Sequence, residues 1–224
     1  KDHTEAGYDD FEALARFADR VDVITYEFEN VPAATADFLA ARQPVRPGPK
    51  ALAVTQDRLS EKQFLRQAGL PLADFVAIDG LADLEKGLAQ LGRPAVLKTR
   101  RMGYDGKGQA IVRAGDDPAK ALASLGGNPC VLEAFVPFVR EVSIVAARAC
   151  DGSVRAFDIC ENHHRNHILS QTVLPARLGP QASKNALDYA GILAKQLDYI
   201  GVFTVELFVV GDGASEHVLI NEIA

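Results

Sequence analysis

The stretch KTRRMGYDGKGQ, residues 98–109, decides how the rest of the chain is read. Gly103, Gly106 and Gly108 free the backbone and let successive N–H groups close on an anion. A strand-like run precedes it, AVLKTR at 95–100, and another follows, AIVR at 110–113. The loop therefore tips a hairpin, whereas a Walker loop or a dinucleotide fingerprint would open a helix. Lys98 lies on the strand just ahead of the tip, where an ammonium can meet a phosphate as a point charge. A hairpin tip whose basic residues simply face water accounts for the loop equally well at this stage.

Working outward, helical spacing marks residues 9–20, and strand-like 21–28 leads to a helix opening at Pro32, a favoured first-turn residue. PVRPGPK at 44–50 reads as a domain boundary. Residues 50–68 read as one helix that Gly69 ends, with Thr55 or Asp57 available as an N-cap. FVAI at 75–78 reads as a strand, and Asp79 as the cap of a helix over 81–91. A helix over 116–125 leads to the strand CVLEAF at 130–135. Beyond Arg140 the pattern turns to strands at 140–149, 154–160 and 168–175. One helix follows, with Ala186, Leu187, Ala190, Leu193, Ala194 and Leu197 on its apolar face. Strands at 202–210 and 217–224 close the chain. The expected class is α+β / α/β: a βα piece, a small module of two strands with helices, and a mostly antiparallel sheet, hinged near 133–137.

Two carboxylates stand inside apolar strands, Glu206 in TVELF and Glu222 in LINEI. Such a position is costly unless the acid is paired or holds a metal. On neighbouring strands the two could hold Mg²⁺ through oxygen ligands. Asn221 offers a further oxygen, although strand alternation aims it away from Glu222. Two edge-strand acids facing water is the plainer reading. In LEAFVPFVREVSI, residues 132–144, a strand breaks after Glu133 and restarts near Glu141. The freed backbone groups could read an adenine edge, or the stretch could be an ordinary loop at Pro137. ENHHRNH at 161–167 lacks zinc-ligand spacing and reads as a polar loop at the mouth of a nucleotide site, with a purely structural loop as the alternative. TYEFENVP at 25–32 crowds Glu27 and Glu29 at a strand end, where open α/β sheets place ligands. Acids serving the following helix dipole is the alternative.

The chain has 224 residues and a net charge of −6, which argues against a surface that coats nucleic acid. No apolar run reaches the ~20 residues of a membrane span. Cys130, Cys150 and Cys160 form no C-x-x-C pair and are expected to be buried, reduced thiols, as in a cytoplasmic protein. The polar start shows no signal peptide, and the chain ends within a strand-like stretch, as expected of an internal fragment.

TYEFENVP, QDRLSEKQFL, KTRRMGYDGKGQ, EAFVPFVREVSIV, ENHHRNHILSQTVLPA and INEIA follow one another along almost the whole chain. In this order they resemble the ATP-grasp superfamily, and within it most closely the 5-(carboxyamino)imidazole ribonucleotide synthases. The resemblance implies an ATP-grasp fold over 49–224, with a small lid subdomain at about 75–134 and a large sheet subdomain at about 138–224. Before it, residues 1–48 would be a partial N-terminal α/β pre-ATP-grasp domain. It implies that Arg58 and Lys98 contact ATP phosphates as the catalytic cations. The loop Gly103, Tyr104, Asp105, Gly106, Lys107, Gly108 and Gln109 would fold over the triphosphate. Glu133, Ala134, Phe135 and Val136 would read adenine, Glu141 the ribose, with His164 rather than His163 in the nucleotide site. Glu206 and Glu222 would hold Mg²⁺, accompanied by Asn221. Glu29, with Tyr26 beside it, would meet 5-aminoimidazole ribonucleotide, as would Tyr104, Asp105 and Lys107. Implied partners are ATP, bicarbonate and that ribonucleotide, with a homodimer as the assembly. The family continues past NEIA into a stretch that holds bicarbonate. Other ATP-grasp ligases, such as the formate-using glycinamide ribonucleotide transformylase or biotin carboxylase, share the lysine, hinge and acids. A non-catalytic nucleotide-binding fragment is the reading from a different class.

Overall fold

The structure, a computed structural model, describes residues 2–103 and 107–224. Near the N-terminus, α1 (Phe11–Ala18) is capped by Asp10, whose Oδ1 accepts the Ala13 N–H, and α2 (Ala33–Ala40) follows Pro32. Residues 21–28 do not form the expected strand. Only Ile24 pairs, bridging in parallel to Val45. Pro44 and Pro47 flank that partner and bring no N–H, so the ladder stops after one rung. Ala18, Ile24, Leu39 and Val45 close a small apolar cluster there.

The helix expected over 50–68 is two helices, α3 (Pro49–Thr55) and α4 (Arg58–Gln67). Asp57 interrupts it: its backbone is extended and its carboxylate accepts from Leu59 N and Ser60 N. An aspartate that bonds its own downstream amides competes with the helix and starts a new one. The Arg100 guanidinium holds the same carboxylate, with Nη2 at 2.7 Å from Oδ2.

The small module has four strands rather than two. β1 (Phe75–Ile78), β2 (Ala95–Thr99), β3 (Gln109–Val112) and β4 (Cys130–Ala134) order as β1-β4-β2-β3, all antiparallel. The hairpin β2–β3 carries the glycine-rich tip, as expected. Helices α5 (Leu81–Leu91) and α6 (Pro118–Ser124) pack on this sheet over a core that includes Ile78, Leu84, Leu97 and Leu132. Asp79 does not cap α5. Gly80 is the N-cap, and the first-turn Asp83 carboxylate reaches back to the Asp79 N–H.

The second sheet has six strands: β5 (Arg140–Arg148), β6 (Val154–Ala156), β7 (Cys160–Arg165), β8 (Ile168–Val173), β9 (Gly201–Val210) and β10 (His217–Ile223). Its order is β10-β9-β5-β7-β8, with β6 beside β5. Helix α7 (Pro180–Gln196) covers one face, burying Ala186, Ala190, Leu193 and Ala194 against Ile144, Val205 and Leu207. Leu187, expected on that face, is exposed. The stretch at 161–167 is mostly strand, not loop. Asn166 and His167 both take positive φ and turn β7 into β8 as a two-residue hairpin. Cys130 and Cys160 are buried, but Cys150 is exposed, its Sγ 2.7 Å from Arg46 Nη1. The turn after β5 carries Cys150 out of the sheet.

Candidate functional site

Between the two sheets lies a cleft of about 380 Å³. Its floor comes from β9 and β10. Along β9 the even positions, Glu206 among them, turn away from the α7-covered core, as strand alternation requires. Glu206 pairs in register with Glu222 on β10, so the two acids are cross-strand neighbours. Register slips by one residue between Ile220 and Glu222, leaving Asn221 as the extra residue of a bulge. The bulge cancels the alternation that would have separated them, and both Asn221 and Glu222 line the cleft.

The wall opposite is cationic. Arg58, on the first turn of α4, donates from Nη1 to Glu222 Oε2 at 2.6 Å and from Nη2 to the Gly103 carbonyl at 3.3 Å. Lys98, on β2, donates to Glu133 Oε2 at 3.1 Å and reaches Asn221 Oδ1 at 3.4 Å. One helix end and one strand thus tie the glycine-rich tip to the acidic floor. At the tip, Gly108 sits at φ +73°, and a Cβ there would meet Thr99 Oγ1 at 2.4 Å. Only glycine fits that close approach.

Electrostatics separate the acids. Burial, then the nearby Glu222 carboxylate, raise the Glu206 pKa to about 7. Burial also pushes Glu222 up, but the Arg58 guanidinium outweighs it and holds that acid below the usual range. Glu61 is raised to about 8, chiefly by burial. Its Oε1 accepts the Ile223 N–H at 3.1 Å, pinning the end of β10 to α4. Burial lowers the Lys98 pKa against the pull of Glu133.

Several expected residues meet here. Arg58, Lys98, Gly103, Lys107, Gln109, Glu141, His164, Glu206, Asn221 and Glu222 all line the cleft. His164 Nδ1 lies 3.2 Å from Glu141 Oε1, while His163 turns to Glu161. Glu29 lines the cleft and Glu27 does not. Tyr26 is directed elsewhere, its hydroxyl 3.4 Å from the Gly48 carbonyl. Glu133, Ala134, Phe135 and Val136 are not part of the lining. The Glu133 side chain instead enters a buried ionic cluster, 3% exposed. Tyr104, Asp105 and Gly106 lie outside the described residues.

Sequence reasoning passed over Glu61 and Lys62. Both are buried, and Lys62 Nζ lies 3.2 Å from Glu133 Oε2. A signal existed: Arg58, Glu61, Lys62 and Leu65 fall at i, i+3, i+4 and i+7, one face of a helix. Three charges on the stripe of a buried leucine mark an inward ionic group. Among the described residues no set of three or more His, Cys, Asp or Glu is placed to hold a metal ion. The donors available to one are the two carboxylates and the Asn221 amide oxygen, and their hard oxygen chemistry suits Mg²⁺. Burial first and the neighbouring Glu222 carboxylate second raise the Glu206 pKa, and a bound cation would offset both.

Known proteins resemble this chain in sequence and fold. Residues 1–56 match the Ribonucleotide synthetase preATP-grasp domain. The chain is 44% identical over 223 residues to N5-carboxyaminoimidazole ribonucleotide synthase of Pseudomonas aeruginosa, covering 100% of this chain and 60% of that protein. It thus spans about 60% of the length of the curated relatives it matches. A crystal structure of carboxyaminoimidazole ribonucleotide synthase from Aspergillus clavatus complexed with ATP superposes with a TM-score of 0.90, at 28% identity, over 100% of this chain and 58% of that one. The synthase of the same organism in complex with ADP and 5-aminoimidazole ribonucleotide gives 0.88 at 26% identity, over 99% and 57%. Residues 63–224 match the ATP-grasp domain, and with two antiparallel sheets enclosing a lysine, a glycine-rich tip and paired strand acids, the chain belongs to the ATP-grasp family.

Proposed function

We propose that the natural protein is a ligase that carboxylates 5-aminoimidazole ribonucleotide with bicarbonate at the expense of ATP. The products are 5-(carboxyamino)imidazole ribonucleotide, ADP and phosphate. The observation that carries this reading is the convergence of Lys98, Arg58, Glu206, Asn221 and Glu222 on one cleft under a glycine-rich tip.

Bicarbonate oxygen attacks the γ-phosphorus of ATP, the bond to the β-phosphate oxygen breaks, and ADP leaves carboxyphosphate behind. The amine of the ribonucleotide then takes the carboxyl carbon and phosphate departs. Phosphoryl transfer of this kind asks a protein for positioning and charge compensation, with no covalent nucleophile. Lys98 and Arg58 supply positive charge at the phosphates. Glu206 and Glu222, with Asn221, would hold Mg²⁺, which when bound neutralises developing phosphate charge. The tip from Gly103 to Gln109 excludes water that would hydrolyse the mixed anhydride. Glu141 meets the ribose and His164 stands beside it; the adenine edge would fall to the backbone of 133–136, which lies outside the cleft lining. Glu29 and Lys107 face the ribonucleotide, with Tyr104 and Asp105 on the same tip.

The reading divides the chain into a pre-ATP-grasp part at 1–48 and an ATP-grasp part at 49–224, with subdomains at about 75–134 and 138–224; an apolar cluster of its own supports the smaller subdomain, while Val31, Ala36 and Leu52 pack together across residue 48. Among the described residues no helix is long and apolar enough to cross a membrane. A cytoplasmic homodimer completes the reading.

ADP release by the full-length protein tests it. Release should require bicarbonate and rise with 5-aminoimidazole ribonucleotide, and Lys98→Ala should abolish the thermal shift given by Mg-ATP. Stimulation by formate and glycinamide ribonucleotide instead would transfer the protein to the transformylases. No thermal shift with Mg-ATP would refute a nucleotide site.

A further inference from the structure

Lys62 occupies a position that neither packing nor ligand contact accounts for. It is 2% exposed and does not line the cleft. Its Nζ lies 3.2 Å from Glu133 Oε2, and the Lys98 Nζ lies 3.1 Å from the same oxygen. The other carboxylate oxygen, Oε1, is buried without a hydrogen-bond partner. Two ammoniums therefore share one atom of one acid, so the Lys62–Glu133–Lys98 group by itself carries a surplus positive charge, with Glu61 and Glu222 acting on the lysines from nearby. A buried ion pair contributes little stability over apolar side chains, and a third charge makes the balance worse. A purely structural pair would need only one lysine.

The surplus becomes intelligible if an anion arrives from the cleft, which Lys98 lines and Lys62 does not. We propose that Lys62 is a positioning residue: its ammonium neutralises Glu133, so that the charge of Lys98 is left for a polyphosphate in the cleft. Without Lys62, the Glu133 carboxylate cancels Lys98, and a phosphate meets a neutral pair. Lys62 also donates to the Asn221 carbonyl at 3.4 Å, so the same ammonium ties the cluster to the bulge on β10. This inference rests on the nucleotide reading of the cleft.

The test is calorimetric titration of the natural full-length protein with Mg-ATP and, separately, with adenosine. Lys62→Met should weaken Mg-ATP binding about 10- to 100-fold, as expected for a buried charge left facing its opposite. Adenosine, which has no phosphate, should bind as before, and Lys62→Arg should retain Mg-ATP affinity. Adding Glu133→Gln to Lys62→Met removes the cancelling anion and should recover most of the lost affinity. A merely structural lysine predicts the reverse, a double variant at least as weak as the single one. The proposal is overturned if Lys62→Met binds Mg-ATP like the wild type, or if Glu133→Gln brings no recovery. Thermal melts check each variant, and Lys62→Gln replaces Lys62→Met if the latter does not fold. A wild-type protein that ignores Mg-ATP, or binds it unchanged after Lys98→Met, would defeat the nucleotide reading and this proposal together. A normal response in those two controls with an unaffected Lys62→Met defeats this proposal alone.

Discussion

Replacing Glu61 by glutamine should make the folded protein less sensitive to alkaline pH. Glu61 is 3% exposed, and burial raises its pKa from the ordinary carboxylate value of 4.5 to about 8. Between those values the unfolded chain ionises Glu61 while the folded chain keeps it protonated. Unfolding then releases a proton, so raising the pH favours the unfolded state. The stability tied to this group is complete below pH 4.5 and is lost as pH passes about 8. At ~1.36 kcal/mol per pH unit, the displacement corresponds to on the order of 5 kcal/mol across that window. Glutamine removes the ionisation and keeps an oxygen that can accept the Ile223 N–H, now at 3.1 Å from Oε1. Urea melts of wild type and Glu61→Gln at pH 5, 6.5 and 8 measure the difference. Glu206, raised to about 7, titrates in the same window but is present in both proteins and cancels. The variant should gain on wild type steadily from pH 5 to 8, by a few kcal/mol. Parallel pH slopes in the two proteins would refute the reasoning, because they would mean that Glu61 is already ionised when folded.

Gly108→Ala should lower the melting temperature of the protein, because φ +73° disfavours a side chain and its Cβ would lie 2.4 Å from Thr99 Oγ1; roughly 1–3 kcal/mol is expected in a thermal or urea melt. Asp57→Ala removes both the cap of α4 and the partner of Arg100, and a loss of about 1–3 kcal/mol in a urea melt should follow. In thiol titration with Ellman's reagent, Cys150 should react in the native protein, and Cys130 and Cys160 only after denaturant is added.

Much of the site could be read before any coordinates. A charged residue within an apolar strand is conspicuous, and this singled out Glu206 and Glu222, while Lys98 stood out by its place just ahead of the glycine-rich loop. The glycine spacing marked the hairpin tip because its conformational demand is local, and Gly108 meets it with a positive φ. The turn at Asn166–His167 was hidden for the opposite reason: its positive φ values are carried by residues without the Asn-Gly signature, so β7 read as loop although β8 was legible as a strand. The strand expected at 21–28 failed because a strand depends on its neighbours, and Ile24 has only Val45.

What the amino-acid order determined alone was the chemistry available and its local setting: periodicity, turn residues, and acids and bases embedded among apolar neighbours. The tertiary structure decided what faces what. Asn221 reached the cleft only through a bulge, a property of register between two strands that neither strand encodes separately. Lys62 and Glu61 became buried only when α4 settled against β4 and β10, where burial turned ordinary helix charges into a lysine pair on one carboxylate and an acid that titrates near pH 8. Desolvation depends on every element that closes over a group, and a linear string does not contain that sum.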